Sequence, residues 1–397
     1  MEVIAMLRSA LVCGVLLSCA WAAGAATFYV AGNGQQTNDG TRQSPWPSVL
    51  YALKQVGGGH TIVVLPGTYR EPIGIDAEYS GTEQTPTIIK SEVKWKAAVI
   101  GSAQHCIWTE PDCDWVIIDG FEVFGARSDG IKLCGDNSIV RNCWVHNNVS
   151  MGIASHHRSG NVFRDNLVEY NGSHVQFHHG MYISGDGHRI VGNIVRHNAG
   201  WGLHLYQEIS NSLIANNLVH GHAHRPGMIL RCPEGGGSNV VVNNTIVDNG
   251  AGIDIARGNG EVLANNILGS RFDPVSLHQG TENLLVDCNL CNPPSQHQGS
   301  HGLTGDPLFV APEQGVYWLQ PESPAIGKGS TQRAPDADFW GRPLPTGRPP
   351  DIGCFAFIEI LATPEARKTW HYQWPYQFYP NKEMGLPDLW NLPREAE

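Results

Sequence analysis

A glycine followed by an apolar-x-apolar triplet recurs six times in this chain: Gly130-Ile-Lys-Leu133, Gly152-Ile-Ala-Ser155, Gly180-Met-Tyr-Ile183, Gly202-Leu-His-Leu205, Gly227-Met-Ile-Leu230 and Gly252-Ile-Asp-Ile255. Successive glycines lie 22, 28, 22, 25 and 25 residues apart, and only Ser155 breaks the apolar pattern. A second column keeps step with the first: Cys143, Asn166, Asn193, Asn217, Thr245 and Asn266. Alternation of period two marks strands, and a unit in the twenties is too small to bury a core alone. Each unit must stack on its neighbours, so the chain reads as a solenoid of short strands with one coil per repeat. The asparagine column predicts an internal ladder, each amide bonding turn backbone and its neighbours in adjacent coils. The longest interval, 152 to 180, places a projecting loop around residues 171–178, beside the strand that starts at Gly180.

The 397 residues would fill two or three ordinary domains, but a solenoid grows lengthwise as one unit. The balance of 26 basic against 37 acidic residues argues against nucleic acid as the partner. Twelve of the 18 histidines fall between His146 and His224, on the central coils. Residues 1–26 read as an export signal: Arg8, an apolar core from Leu11 to Leu17, then small residues to Ala26. Leu16-Leu-Ser-Cys19 leaves lipid attachment at Cys19 as the alternative. That apolar core is too short to span a bilayer, and no later segment could. The expectation is a monomer without a transmembrane span, secreted, periplasmic or held at the cell surface. In an oxidising compartment the near pairs Cys106/Cys113, Cys134/Cys143 and Cys288/Cys291 are candidate disulfides. A zinc reading of Cys288-Asn-Leu-Cys291 lacks a second such pair to complete it.

The stretch Pro45 to Val56 reads as a short amphipathic helix, and Thr61-Ile-Val-Val-Leu-Pro-Gly-Thr-Tyr69 follows it. A helix followed by this motif resembles the N-terminal cap and first coil of secreted bacterial right-handed parallel β-helix proteins of the pectate-lyase type. Gly305-Asp-Pro-Leu-Phe-Val310, the segment Trp318 to Ile326, Trp340-Gly-Arg-Pro343 and Asp351-Ile-Gly353 resemble, in that order, the C-terminal closing region of such proteins. The resemblance implies an all-β fold, a right-handed parallel β-helix with a short N-terminal capping helix. Residues 27–304 would form the capped helix and residues 305–356 its closing region. The aromatic, proline-rich tail 357–397 departs from the resemblance and reads as an irregular strap along the solenoid, with sugar binding as the alternative. The same resemblance implies an extracellular polysaccharide as partner, because proteins of this kind are often polysaccharide lyases or glycoside hydrolases.

With Ile131, Met181 and Leu203 inward, the outward row is Lys132, Ala154, Tyr182, His204, Ile229 and Asp254. Two residues on, the next row is Cys134, His156, Ser184, Tyr206, Arg231 and Ala256. A glycine row facing outward would leave a shallow trough between side-chain walls. A merely solvated face usually carries Thr, Ser, Asn and Lys, whereas this one carries acid, base and cationic groups on consecutive coils. β-Elimination of a uronate needs a cation to stabilise the carboxylate, a base for the C5 proton and an acid for the leaving oxygen. His204 is the expected base and Tyr182 the acid, an assignment the sequence allows to be exchanged. Lys132 and Arg231 would hold carboxylates, while His156, Tyr206, Asp254 and His178 would contact substrate. No metal site is assigned. The loop histidines lack the His-Glu-x-x-His spacing, and turn chemistry explains two of Asp136, Asp186 and Glu208, so calcium is left open as cofactor. His179 reads as an inward core histidine. Two rivals stand beside the lyase: a glycoside hydrolase pairing Asp254 with Glu208 or Asp186, and a non-catalytic carbohydrate-binding surface protein.

Overall fold

A computed structural model describes residues 25–359, Ser102 and Arg333 excepted. The export segment up to residue 24, with Cys19, and the tail from residue 360 lie outside the described residues. The fold is all-β, a right-handed parallel β-helix whose coils stack their strands into three eleven-stranded sheets, the one through Ile153–Ser159 having nine strands along its path and two short ones, Ile209–Ser210 and Thr281–Glu282, beside it. One sheet concerns function. Its path runs through Ile73–Ile75, Ile107–Thr109, Ile131–Leu133, Ile153–Ser159, Met181–Asp186, Leu203–Leu205, Pro226–Arg231, Ala251–Asn259 and Val275–Leu277. We call it the trough sheet. No helix among the described residues is long and apolar enough to cross a membrane.

Alternation decides which side chains enter the core. On the trough sheet Ile107, Ile131, Ile153, Met181, Leu203, Met228, Ile253 and Val275 stand in register and are fully buried. Val140, Phe163, Ile190 and Ile214 form a matching stack on the second sheet, and Val145, Val168, Val195 and Val219 one on the third. Burying each such side chain contributes roughly 1.5–3 kcal/mol. A one-residue slip would turn every stack outward, so the register is strongly held.

Between the second and third sheets each coil turns through a residue with left-handed φ: Asn142, Asp165, Gly192, Asn216, Asn243, Asn265 and Cys288. Mostly Asn, Asp and Gly hold these positions, the residues that tolerate the conformation. The next residue forms the ladder. Asn193 Nδ2 donates to Asn217 Oδ1 at 3.0 Å and to Phe163 O at 2.8 Å, and Asn193 Oδ1 accepts from the Asn166 amide at 3.1 Å. The expected ladder is present, with one correction. Its fifth member is Asn244, which accepts from Asn217 and donates to Asn266, while Thr245 pairs with Leu218 one place further along the strand.

The repeat glycines also differ from expectation. They do not face outward. A Cβ on Gly180 would lie 2.6 Å from Val195 Cγ1 and 2.7 Å from Asn198 Nδ2, and one on Gly202 2.5 Å from Val219 Cγ1. The chain bends sharply into the strand here, so the glycine presses on the interior instead of flooring a trough. The cysteine pairs are a further correction: all eight cysteines of the described residues are free thiols. Six of the eight are fully buried and serve as small apolar wall residues.

The N-terminal helix is Val49–Val56, shorter than predicted. Ser48 caps it, its hydroxyl accepting from the Tyr51 amide at 3.2 Å, and Val49, Ala52 and Leu53 are buried against the first coils. Trp46, between two prolines, instead bridges Val30 in a parallel pairing. At the other end an antiparallel hairpin, Phe309–Ala311 with Val316–Leu319, begins a segment reaching Phe357. Its Tyr317, Trp318, Trp340 and Phe355 share an apolar cluster with Leu167, Ile194, Leu218, Ile267 and Leu290. The segment therefore lies along the flank of the third sheet.

Candidate functional site

Parallel pairing sets the floor of the trough. Gly74, Trp108, Lys132, Ala154, Tyr182, His204, Ile229, Asp254 and Ser276 follow one another in register, one per coil. Successive members are about 4.8 Å apart. The predicted outward row is therefore the row the fold presents.

Around its middle the rings converge. Tyr182 meets His204 edge to face, with centroids 4.5 Å apart, and His156 lies 4.3 Å from Tyr182 on the other side. Tyr206 is 5.1 Å from His204, and the Arg231 guanidinium sits 5.2 Å from the Tyr206 ring centroid. On the opposite edge His179 stacks flat on His204, at 4.1 Å and 7°. Trp201 stands edge-on to both, and the Arg225 guanidinium lies over it at 4.5 Å. Arg225 Nε donates to Val175 O of the projecting loop at 3.1 Å. Neither Arg225 nor Arg231 has a carboxylate within ion-pair distance among the described residues. They flank one coil, at either end of the strand through Ile229.

Residues two places beyond the floor do not form the straight second row that was predicted. The register shifts between Ser155 and Arg158, and His157 adopts a left-handed φ of 53°. Ser184 is buried as a result, its hydroxyl accepting from the His157 amide at 3.0 Å, while His156 packs on Tyr182.

Burial sets the protonation states. His204 is 8% exposed and its pKa falls to about 3, through desolvation first and the neighbouring His156 second. His179, 3% exposed, falls to about 2 through desolvation and then His204. Tyr182 is shifted upward, again by burial first and Tyr206 second. At neutral pH the site therefore holds unprotonated imidazoles beside a protonated phenol. Nδ1 of His179, Nδ1 of His204 and Nε1 of Trp201 are buried without a hydrogen-bond partner among the described residues. Nδ1 of His179 faces Gly200, where a Cβ would approach it to 2.5 Å. Nε2 is thus the nitrogen each imidazole has left for a substrate.

The remaining predicted residues are not part of this cluster. Lys132 lies two coils before Tyr182, about 10 Å along the floor, beside a cavity of about 370 Å³ that Trp108 and Glu110 also line. Asp254 lies two coils beyond His204; its Oδ1 is 2.6 Å from His278 Nε2, and desolvation raises its pKa despite that partner. His178 belongs to the projecting loop, where its Nδ1 accepts from the Ser173 amide at 3.1 Å. Asp136 Oδ1 accepts from the Ser159 amide and Asp186 Oδ1 from Ser210 and Asn211, so both tie their turn to the turn of the next coil. Calcium requires oxygen ligands. The central coils offer imidazoles, phenols and guanidinium groups, a donor set that does not fit that ion, and no step of the chemistry runs through it.

Sequence reasoning missed His179, Trp201 and Arg225. The first two occupy the position just before a repeat glycine, and Arg225 the one before that. Because the glycine bends inward, its predecessor is brought to the edge of the floor. Gly180 N donates to Trp201 O and Met181 N to Gly202 O, so these entry points stack like the strands themselves. Reading the residue before each glycine as a third column would have found His179 and Trp201.

Comparison with known proteins agrees with the fold. Residues 28–188 match the family model described as Pel9A-like, right handed beta helix region, and residues 173–290 match the right handed beta helix region. The structure of pectate lyase Pel9A superposes with a TM-score of 0.61 over 84% of this chain and 97% of that chain, at 18% identity, a likeness of fold alone. An uncharacterized protein of Bacillus subtilis (strain 168), YwoF, is 24% identical over 208 residues, which are 45% of this chain and 43% of that protein. Pectate lyase L of Dickeya dadantii (strain 3937) is 25% identical over 215 residues, 48% of this chain and 49% of that enzyme. The chain thus spans under half the length of the curated relatives it matches.

Proposed function

For this chain, a right-handed parallel β-helix protein of the polysaccharide-lyase-like kind, we propose cleavage of an extracellular uronate-containing polysaccharide by β-elimination. The substrate lies along the trough, with one uronate over Tyr182 and His204. Nε2 of His204 takes the proton from C5, and the electron pair left behind forms the C4–C5 double bond. The glycosidic bond at C4 breaks, and the Tyr182 hydroxyl gives its proton to the departing oxygen. Arg225 and Arg231 hold uronate carboxylates from the two edges and stabilise the charge that develops as the C5 proton leaves. A carboxylate bound beside His204 also raises the basicity of an imidazole that burial alone holds low.

One observation carries the proposal: a neutral imidazole and a protonated phenol in edge-to-face contact on the trough floor, flanked by two guanidinium groups with no carboxylate partner among the described residues. The hydrolase rival requires a pair of carboxylates flanking the bond, whereas Asp254 has a histidine beside it.

The test is ultraviolet absorbance during incubation with a panel of uronate polysaccharides. A rise from the unsaturated product, abolished in His204→Ala, is the expected result. New reducing ends without that absorbance would replace the lyase by a hydrolase. Saturable glycan binding with neither signal would leave a binding protein.

A further inference from the structure

We infer that Trp108 and Lys132 form a separate uronate-binding subsite at the N-terminal end of the trough, remote from the reacting bond. It builds on the polysaccharide reading but does not depend on cleavage. The floor there runs Gly74, Trp108, Lys132. A Cβ on Gly74 would lie 2.5 Å from Trp108 Cζ2 and 2.9 Å from Cε2. The indole therefore lies down across the neighbouring coil, and only glycine leaves room for it. Its Nε1 donates to Glu110 Oε1 at 2.8 Å, which fixes the ring in its plane.

The ring borders the cavity of about 370 Å³, whose other walls include Gln104, His105, Glu110 and Lys132. An aromatic surface with an amide, a carboxylate and an ammonium around it is the composition of a pyranose site: the sugar's C–H face stacks and its hydroxyls are bonded at the rim. Lys132 has no carboxylate within ion-pair distance among the described residues. His105, which lies 3.5 Å from Asp129, has its pKa lowered mainly by burial and adds no cation at neutral pH. Lys132 is thus the cation left for the carboxylate of a uronate resting on Trp108. Its place is this subsite and not the reacting centre.

Trp108 stands four coils before His204, about 19 Å along the floor. A short oligosaccharide cannot reach both, so the subsite must show itself as dependence on chain length. The experiment measures binding of oligogalacturonates and oligoalginates, dimer to octamer, by calorimetry in a His204→Ala background where no chain is cut. Trp108→Ala should weaken the longest oligomers about tenfold and leave dimers unchanged. Trp108→Phe should restore most of the loss, and Lys132→Ala should weaken uronate oligomers but not their carboxyl-reduced counterparts. Equal affinity of wild type and Trp108→Ala at every length would overturn the subsite, as would an equal loss at every length or no binding of any uronate oligomer. Length-dependent binding by a wild-type protein that cleaves nothing would sink the lyase reading and leave the subsite standing. Cleavage indifferent to Trp108 at all lengths would do the reverse.

Discussion

His204 and His222 are both buried, and burial is the first cause of the low pKa of each, about 3 and about 4. Their surroundings differ. His222 stands in a ladder of amides, its Nδ1 2.9 Å from Asn249 Oδ1 and its Nε2 3.3 Å from Asn198 Nδ2. Both of its nitrogens are used, and it takes the place an asparagine holds in the coils before and after. His204 has no hydrogen-bond partner at Nδ1 among the described residues and lies against His179, Tyr182, Trp201 and Tyr206 on the sheet's outer row. A depressed imidazole pKa therefore says that a ring is buried. What the ring does is told by which of its nitrogens are already engaged.

The largest effects should separate the two histidines completely. His204→Ala is expected to lower the cleavage rate by at least about a hundredfold with little change in a denaturation curve. His222→Ala should leave the rate within a few-fold but lower stability by about 2 kcal/mol, because Asn249 Oδ1 and Asn198 Nδ2 each lose one of their interior hydrogen bonds. Loss of activity in a fully folded His222→Ala protein would break the comparison. Tyr182→Phe comes next. It keeps the ring contacts and removes the proton donor, so initial rates should fall roughly tenfold to a hundredfold while glycan affinity is retained.

A smaller effect concerns pH. Both imidazoles are neutral in the fold and regain the ordinary value of 6.5 when the chain unfolds. The unfolded chain therefore takes up protons first as pH falls, so the stability these groups contribute is complete above about 6.5 and is lost progressively towards their folded values. Denaturation midpoints measured from pH 7 down to pH 4 should decline, and less steeply in His222→Gln. A flat profile would mean that the rings take up protons in the fold at the same pH as in the unfolded chain. The smallest effect should be that of Asp254→Asn. Separating it from the half-exposed His278 should cost under about 1 kcal/mol and change the cleavage rate less than about threefold; abolished activity would turn the assignment towards hydrolysis.

The sequence made the solenoid and the floor row legible because strand alternation and parallel stacking leave little freedom. Once Ile131 and Leu133 face inward, Lys132 must face outward, and the same holds on every coil. Departures arose where local backbone geometry intervenes. A shifted register after Ser155 breaks the row through His156 and Ser184. The bend at Gly180 turns that glycine inward and carries His179 to the edge of the floor. Thr245 follows two consecutive asparagines, and period alone does not say that the ladder takes the second of them, Asn244. The cysteine spacings suggested cross-links, yet Cys143 lies at the head of the ladder column and faces the interior by itself. The cluster around His204 was half legible, since an outward row shows what lies on a strand and not what neighbouring turns bring beside it.

One strand per coil, held in register by the asparagine ladder, also makes the trough a ruler. Distance along the bound chain is counted in coils, so the gap between Trp108 and His204 is fixed by how many repeats lie between them. Removing the coil that carries Ala154 would bring the two about 4.8 Å closer, and would take away His156, which stands on the same strand. The length of oligosaccharide engaged at once would then be an inherited count of repeats, adjustable in whole steps and in no others.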